Sequence, residues 1–317
     1  MQTDIIIVNW NSGSQLQTCV ESVRSYGRGH VQRCIVVDNG SQDGSADFLS
    51  DVDDVELVDA GQNLGFGKAC NLGAAHGESP YILFLNPDAF LLPGSLELPL
   101  DFMAQAENRK VGVVGIALTN DTGDVQRSCA RFPTPLGLVA MSIGLKRLVP
   151  TLGTHMSDWD HDESRTVPHV IGAFYLIRRS VFEALDGFDE RFFVYLEDLD
   201  LSLRVSKAGY RSHFLREAEA FHEGGGVSSQ VKGHRLFYSL RSRIQYAFKH
   251  FSLLSALGVA MATLLVEPLT RLGQLVVQRR WGEIGDLRRG VGKLWLWALG
   301  EVHLMPRHHR SSWNRKT

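Results

Sequence analysis

The feature that most constrains this chain is a series of short apolar runs, each ending on a polar residue. Asp4-Ile-Ile-Ile-Val-Asn9 is the first and Cys34-Ile-Val-Val-Asp38 the second. Tyr81-Ile-Leu-Phe-Leu85 follows, running directly into Asn86-Pro87-Asp88. Uninterrupted apolar runs of this length are strands buried on both faces. Residues 55–58 and 111–118 read as further strands. Between them, Leu16, Cys19, Val20 and Val23 recur at helical spacing within 14–26, and a second helix is expected over 67–76. Strands alternating with helices predict an α/β fold, a mostly parallel central sheet flanked by helices. Ligands of such sheets sit outside the carboxyl ends of the strands. Asn9, Asp38 and Asp88 each lie just past such an end, so three polar residues from separate strands converge on one crevice.

The 317 residues, 44% of them hydrophobic, suffice for one large or two modest domains and exclude a disordered chain. The net charge of −2 conceals a division: residues 241–317 carry 13 Lys+Arg against 4 Asp+Glu, which leaves the preceding body strongly acidic. An acidic body argues against nucleic acid as a partner, and a basic end suggests attachment to an anionic surface. We therefore expect two regions, 1–234 and a basic helical 235–317. Residues 251–266 hold no charge, yet 16 residues fall short of the roughly 20 that span a bilayer. Arg271, Arg279, Arg280, Arg288 and Arg289 follow, interleaved with Trp281, Trp295 and Trp297. That is the composition of interfacial helices, the alternative being a helical subdomain packed on the core. The opening residues lack a secretory signal pattern, and the four cysteines form no C-x-x-C pair, so no zinc site or disulfide framework is expected. A cytoplasmic protein, peripheral on the inner face of the cell membrane, is the expectation.

Residues 119–168 read as an irregular excursion able to form a wall or lid. Order resumes over 170–177, and Ser180-Val-Phe-Glu183 has the pattern of a capping box. Asn63-Leu-Gly-Phe-Gly-Lys-Ala-Cys-Asn71 is a glycine-rich helix entry but fails as a dinucleotide fingerprint, because Cys70 stands where the third glycine is required. Gly65 and Gly67 would permit close approach of a ligand to the backbone, and Asn63 and Asn71 offer amide contacts. Asp38, in an ordinary Asp-Asn-Gly turn, can accept from a base N–H. Asp88 supplies one carboxylate, which suits Mg²⁺ or Mn²⁺ completed by a diphosphate and water. Glu197, Asp198 and Asp200 crowd one helix start, where the dipole favours ionised acids, and one of them can serve as general base. His222 is a possible metal or diphosphate contact.

Five blocks carry a resemblance, in order, from about residue 4 to residue 226. They are Ile-Val-Asn-Trp-Asn at 7–11, Val-Val-Asp-Asn-Gly-Ser at 36–41, Asn-Leu-Gly-Phe-Gly at 63–67, Leu-Asn-Pro-Asp at 85–88, and Gly-Phe-Asp-Glu-Arg-Phe-Phe-Val-Tyr-Leu-Glu-Asp-Leu-Asp-Leu at 187–201. Together they resemble family 2 glycosyltransferases of the GT-A fold, and within them bacterial rhamnosyltransferases that build cell-wall or O-antigen polysaccharide on a polyprenyl carrier. The resemblance implies a nucleotide-diphospho-sugar donor, Mg²⁺ or Mn²⁺, and a polyprenyl-linked or oligosaccharide acceptor. It implies that Asp38 reads the base, with Asn9, Asn63, Gly65, Asn71 and Asn86 around the nucleotide-sugar. Asp88 and His222 would hold the metal, and Arg131 and Glu197 would meet diphosphate or acceptor. Asp198 would be the catalytic base of an inverting transfer. Asn86 stands where the wider family has Asp. A uridine-diphosphate donor (N-acetylhexosamine or galactofuranose) and an inactive binding scaffold are the competing readings.

Overall fold

The computed structural model describes residues 2–145, 149–224 and 232–301. Gly225, Gly226 and the basic residues beyond 301 lie outside them. The chain runs through β1 (Thr3–Asn9), α1 (Gln15–Tyr26), β2 (Val31–Asp38), β3 (Val55–Asp59), α2 (Phe66–Ala74), β4 (Tyr81–Leu85), β5 (Ala89–Leu91) and α3 (Glu97–Ala104). Then come β6 (Val111–Thr119), β7 (Cys129–Ala130), α4 (Pro135–Ser142), β8 (Arg165–Val167), β9 (His169–Val170), β10 (Phe174–Arg178) and α5 (Arg179–Ala184). It ends with α6 (Glu197–Lys207), β11 (Arg211–His222), α7 (Lys232–His250), α8 (Leu253–Met261), α9 (Glu267–Val277) and α10 (Ile284–Glu301).

The main sheet has the order β3-β2-β1-β4-β10-β6-β11-β5, with β8 on β11. It is mixed rather than mostly parallel. Strands β1 to β4 are parallel and β6 is parallel to β11, but β10 runs antiparallel to both its neighbours and β5 antiparallel to β11. The reversals bring the functional segments together. Phe174, the first residue of β10, pairs with Leu85, the last of β4, and Ala89, the first of β5, pairs with His222, the last of β11. The start of a reversed strand thus lies at the same sheet edge as the ends of the forward ones. Asn9, Asp38, Asn86, Asp88, Gly172 and His222 all lie along that edge. Apolar cores fill both faces, with Ile5, Ile7 and Val36 on one side and Ile6, Ile35 and Val37 on the other.

The expected capping box at Ser180 is not formed. Helix α5 starts at Arg179, with no side-chain cap, because Arg179 turns inward. Its guanidinium donates to the wholly buried Asp4 at 2.8 Å, and Asp4 also accepts from the backbone and hydroxyl of Ser79. A Cβ on Gly77 would lie 2.2 Å from the same carboxylate. Arg179→Met is expected to lower unfolding stability by about 3–5 kcal/mol, since it strands a buried charge. A urea midpoint unchanged from the parent protein would contradict this.

Helix α7 is bound tightly to the body despite the change of composition near 235. Tyr246 is buried with Phe192 and Leu199, and Lys249 and His250 each reach Asp200 of α6, at 2.6 and 2.7 Å. Arg204 adds a third partner at 2.8 Å. Burial alone would raise the Asp200 carboxyl, but these partners hold it below the usual carboxylate range. A depressed native pKa contributes stability that is present above the unfolded value near 3.9 and is lost as pH falls through the native one. The junction of α6 and α7 is therefore acid-labile. Helices α8 and α9 form one continuous helix, Leu253–Val277, joined through a π turn at Ala262–Val266. At 25 residues it is long and apolar enough to cross a membrane, longer than the uncharged run suggested. Midway, Glu267 is buried and paired with Arg243 of α7.

Candidate active site

The carboxyl ends of β1 and β2 build the first corner. Asn9 is wholly buried, and its amide donates to Asp38 at 2.9 Å, to Ser41 at 3.1 Å and to Ser45 at 2.9 Å. It stands behind Asp38 and fixes that carboxylate, which remains partly open. Asn39, unremarked in the sequence, is buried and joins this turn to the next loop through Asn63 and the Leu64 backbone. Asn63 spends its oxygen on the Gly65 amide at 2.9 Å.

At two further positions the structure sets the protein's own groups against the residues read as ligand contacts. Gly65 has φ +86°, and a Cβ there would lie 2.3 Å from the Phe193 carbonyl oxygen, so what approaches it closely is the protein's own loop. Asn71 likewise faces protein. Its amide donates to the Phe188 carbonyl at 2.9 Å and accepts from the Phe188 N–H at 2.8 Å, which holds the Gly187 turn. Asn86 closes a turn through its backbone, accepting from the Ala89 N–H at 3.0 Å.

Asp88 and His222 meet where β5 and β11 pair, with Oδ1 and Nε2 3.5 Å apart. Gln126, from the irregular excursion, orients the histidine. Its Nε2 donates to the His222 carbonyl, which leaves its oxygen 3.0 Å from His222 Nδ1. That oxygen can only accept, so Nδ1 carries a proton, and the remaining ring nitrogen is the one that faces the carboxylate. A neutral ring would then set two acceptors against each other, an arrangement that a cation between them relieves. Among the described residues no three potential ligands cluster. Two protein ligands fit an ion that takes its other oxygens from a diphosphate and water, as Mg²⁺ and Mn²⁺ do. A ring N–H held by an outer amide is usual for a ligating histidine.

The acids of α6 separate into three environments. Asp200 belongs to the α7 junction. Glu197 is buried against Gly67, and one of its oxygens has no partner. Burial first, and then the charge of Asp198 beside it, push its carboxyl well above the usual range. Asp198 is 19% exposed and accepts from the Gly172 N–H at 2.8 Å and the Leu199 N–H at 2.7 Å. Of the adjacent pair, burial thus favours the protonated form of Glu197, whereas Asp198 is partly open and held by two backbone N–H groups. The backbone before them is strained, with Tyr195 and Leu196 both left-handed at φ +69° and +67°. Helix α7 props this turn, Ser242 donating to the Val194 carbonyl at 2.8 Å while Tyr238 stacks on Phe193. Strain of this kind persists where the surroundings over-determine it, commonly beside active sites.

Arg131 follows β7 and pairs with Asp158 at 2.7 Å, while its other terminal nitrogen is buried without a hydrogen bond. No motif pointed to Gln126, Gly172 or His169, the last lying 3.6 Å from Asp198. A lone polar residue inside an apolar or irregular stretch carries no periodic signature.

The family model for glycosyl transferase family 2 matches residues 4–186. The chain belongs to this family. It is 29% identical over 232 residues to the N-acetylglucosaminyl-diphospho-decaprenol L-rhamnosyltransferase of Mycobacterium tuberculosis, covering 69% of this chain and 75% of that protein. It is 30% identical over 192 residues to the rhamnosyltransferase WbbL of Escherichia coli, covering 57% and 69%. Among solved structures, a mannosyltransferase of Pyrobaculum calidifontis in complex with GDP-Man and Mn²⁺ aligns with a TM-score of 0.53 at 15% identity, covering 93% of this chain and 87% of that one. This family 2 glycosyltransferase therefore has the GT-A-like fold, a mixed central sheet flanked by helices with a helical stretch at its C-terminal side.

Proposed function

We propose that this glycosyltransferase is inverting and transfers L-rhamnose from a deoxythymidine-diphosphate donor to a hydroxyl of a polyprenyl-linked saccharide. The observation that carries the reading is the partly open Asp198 carboxylate, held by the Gly172 N–H beside the buried Glu197, near the sheet edge that also carries Asp38 and Asp88. The names of the relatives favour the donor sugar and the carrier. Asp38 accepts from the base N–H, steadied by Asn9. Asp198 takes the proton of the acceptor hydroxyl as that oxygen bonds to the anomeric carbon. The bond from that carbon to the diphosphate oxygen breaks on the opposite face, its electron pair leaving with the diphosphate. Asp88 and His222 would hold a divalent cation, which supplies charge stabilisation to the leaving diphosphate. Arg131 brings a free N–H to the same task or to the acceptor.

The test is to offer dTDP-rhamnose and uridine-diphosphate sugars with a short polyprenyl-diphospho-N-acetylglucosamine, and to read the product's anomeric configuration by NMR. Inverted rhamnoside is expected. Retained configuration contradicts the mechanism, and turnover with a uridine-diphosphate sugar alone contradicts the donor.

The same reading places the C-terminal helices on a lipid surface. Leu254, Leu257, Met261, Leu265, Leu269, Leu272 and Val276 follow one another at steps of three and four, and all are exposed. That is a single apolar stripe along α8 and α9, joined by exposed Trp281 and Trp295 and flanked by arginines. The buried Glu267–Arg243 pair and the packing on α4 and α7 suit a helix lying in the interface. Leu254→Asp with Leu269→Asp, 84% and 70% exposed, should abolish sedimentation with anionic vesicles while leaving the melting temperature unchanged. Undiminished sedimentation would contradict membrane contact.

A further inference from the structure

A buried polar chain stands behind Asp198. Tyr175 Oη lies 2.9 Å from Ser202 Oγ, Ser202 Oγ lies 2.9 Å from His169 Nδ1, and His169 Nε2 lies 3.6 Å from Asp198 Oδ2. Tyr175, Ser202 and His169 are all buried, from three different elements: β10, α6 and β9. Three polar groups placed together in an apolar core are costly unless each is satisfied.

Proton counting settles the direction of this chain. If His169 Nδ1 held the proton, it would donate to Ser202 and Ser202 to Tyr175, leaving the phenol proton without an acceptor. The bare Nε2 lone pair would then face a carboxylate. In the opposite direction Tyr175 donates to Ser202, Ser202 donates to Nδ1, and Nε2–H points at Asp198. Every proton then finds an acceptor. The groups facing the ring are Asp198 from α6, His155 from the excursion, and Tyr175 through Ser202. Burial holds the imidazole below its usual range, which Asp198 opposes and His155 reinforces. The ring is neutral at working pH and acts as a dipole rather than a cation.

We propose that His169 is a positioning residue for the catalytic base: through Nε2–H it orients and stabilises the Asp198 carboxylate, in a tautomer set by Tyr175 and Ser202. This rests on the assignment of Asp198 as base. Together with the Gly172 N–H, the imidazole anchors Oδ2, while Oδ1, which accepts from the Leu199 N–H, keeps a second lone pair for the acceptor. The 3.6 Å contact shortens when the acceptor fills the site, as catalytic hydrogen bonds do.

The experiment compares His169→Phe, His169→Gln, Ser202→Ala and Asp198→Asn for kcat, donor KM and the pH profile. Loss of a donor to the carboxylate raises the basicity of Asp198, so in His169→Phe the acidic limb should move up by about one pH unit. Its kcat should fall roughly ten-fold or more with donor KM unchanged. His169→Gln, whose amide can still donate, should recover part of the loss. Ser202→Ala, a small change least able to disturb folding, should reduce the Nε2–H tautomer in the imidazole ¹⁵N spectrum of the intact protein. In the Asp198→Asn background, His169→Phe should have no further effect. A wild-type pH profile and kcat in His169→Phe, or an unchanged tautomer in Ser202→Ala, overturns the proposal. Near-normal activity in Asp198→Asn overturns the base assignment instead.

Discussion

Asp198→Asn is expected to lower kcat by at least about 10²–10⁴-fold, the range for loss of a general base. The substitution keeps the size of the side chain and one acceptor oxygen, so the bond from the Gly172 N–H at 2.8 Å can survive. What disappears is the site that takes the proton. In the proposed site the donor is held by Asp38, at the end of β2, and Asp88, in the turn before β5, so the donor KM should stay close to that of the parent. A second consequence follows at the neighbouring acid. Glu197 is raised by burial and then by the charge of Asp198, and neutralising Asp198 removes the second cause. The Glu197 carboxyl should then move down, and Asp198→Asn with Glu197→Gln should be no worse than Asp198→Asn alone. If Glu197→Gln by itself abolished turnover while Asp198→Asn did not, the two acids would have exchanged roles.

Asp88→Ala is expected to lower kcat/KM by about 10²–10³-fold and to remove any response to Mn²⁺, since several kcal/mol of leaving-group stabilisation is at stake. His222→Ala should act in the same direction with a smaller loss, because one oxygen ligand remains. Gln126→Leu separates ligation from packing. It leaves both ligands in place but frees the His222 ring, and should weaken Mn²⁺ binding by about 10–100-fold, measured directly by titration of the metal against the protein. Equal Mn²⁺ affinity in the parent protein and Asp88→Ala would contradict this site.

The alternation of apolar runs and helical periodicity made the parallel half of the sheet legible, because both depend on local spacing. The reversal of β10 was not, since Phe174-Tyr-Leu-Ile177 is as apolar as β4 and composition does not encode strand direction. That reversal is nevertheless what delivers the Gly172 N–H to Asp198. Of the proposed site, Asp38, Asp88, Asp198 and His222 stood out in the sequence because a charged or imidazole residue at the end of a strand or the start of a helix is conspicuous. The amides were harder to read. Asn9, Asn63 and Asn71 occupy motifs that suggest ligand contacts, and all three bond to the protein's own turns. Gly65 has the same ambiguity, since a missing Cβ serves a ligand and a packed Phe193 backbone equally well. Gln126 and His169 act only through contacts distant in sequence, 96 residues for the pair Gln126–His222 and 33 for His169–Ser202. Local pattern cannot reveal partners so far apart. The three acids of α6 looked alike in sequence, and only burial and neighbours divide them into a junction residue, a buried acid raised by its surroundings and a partly open carboxylate proposed as the base.

The measurement that tests the central claim most directly is the melting temperature with dTDP and UDP, each with and without Mn²⁺, for the parent protein and for Asp38→Ala. A ligand that binds only the folded state raises the midpoint by mass action. Stabilisation by dTDP that grows with Mn²⁺ and disappears in Asp38→Ala is the predicted result. No stabilisation by either nucleotide, or a shift that Asp38→Ala leaves intact, would contradict a nucleotide-sugar site at this edge of the sheet.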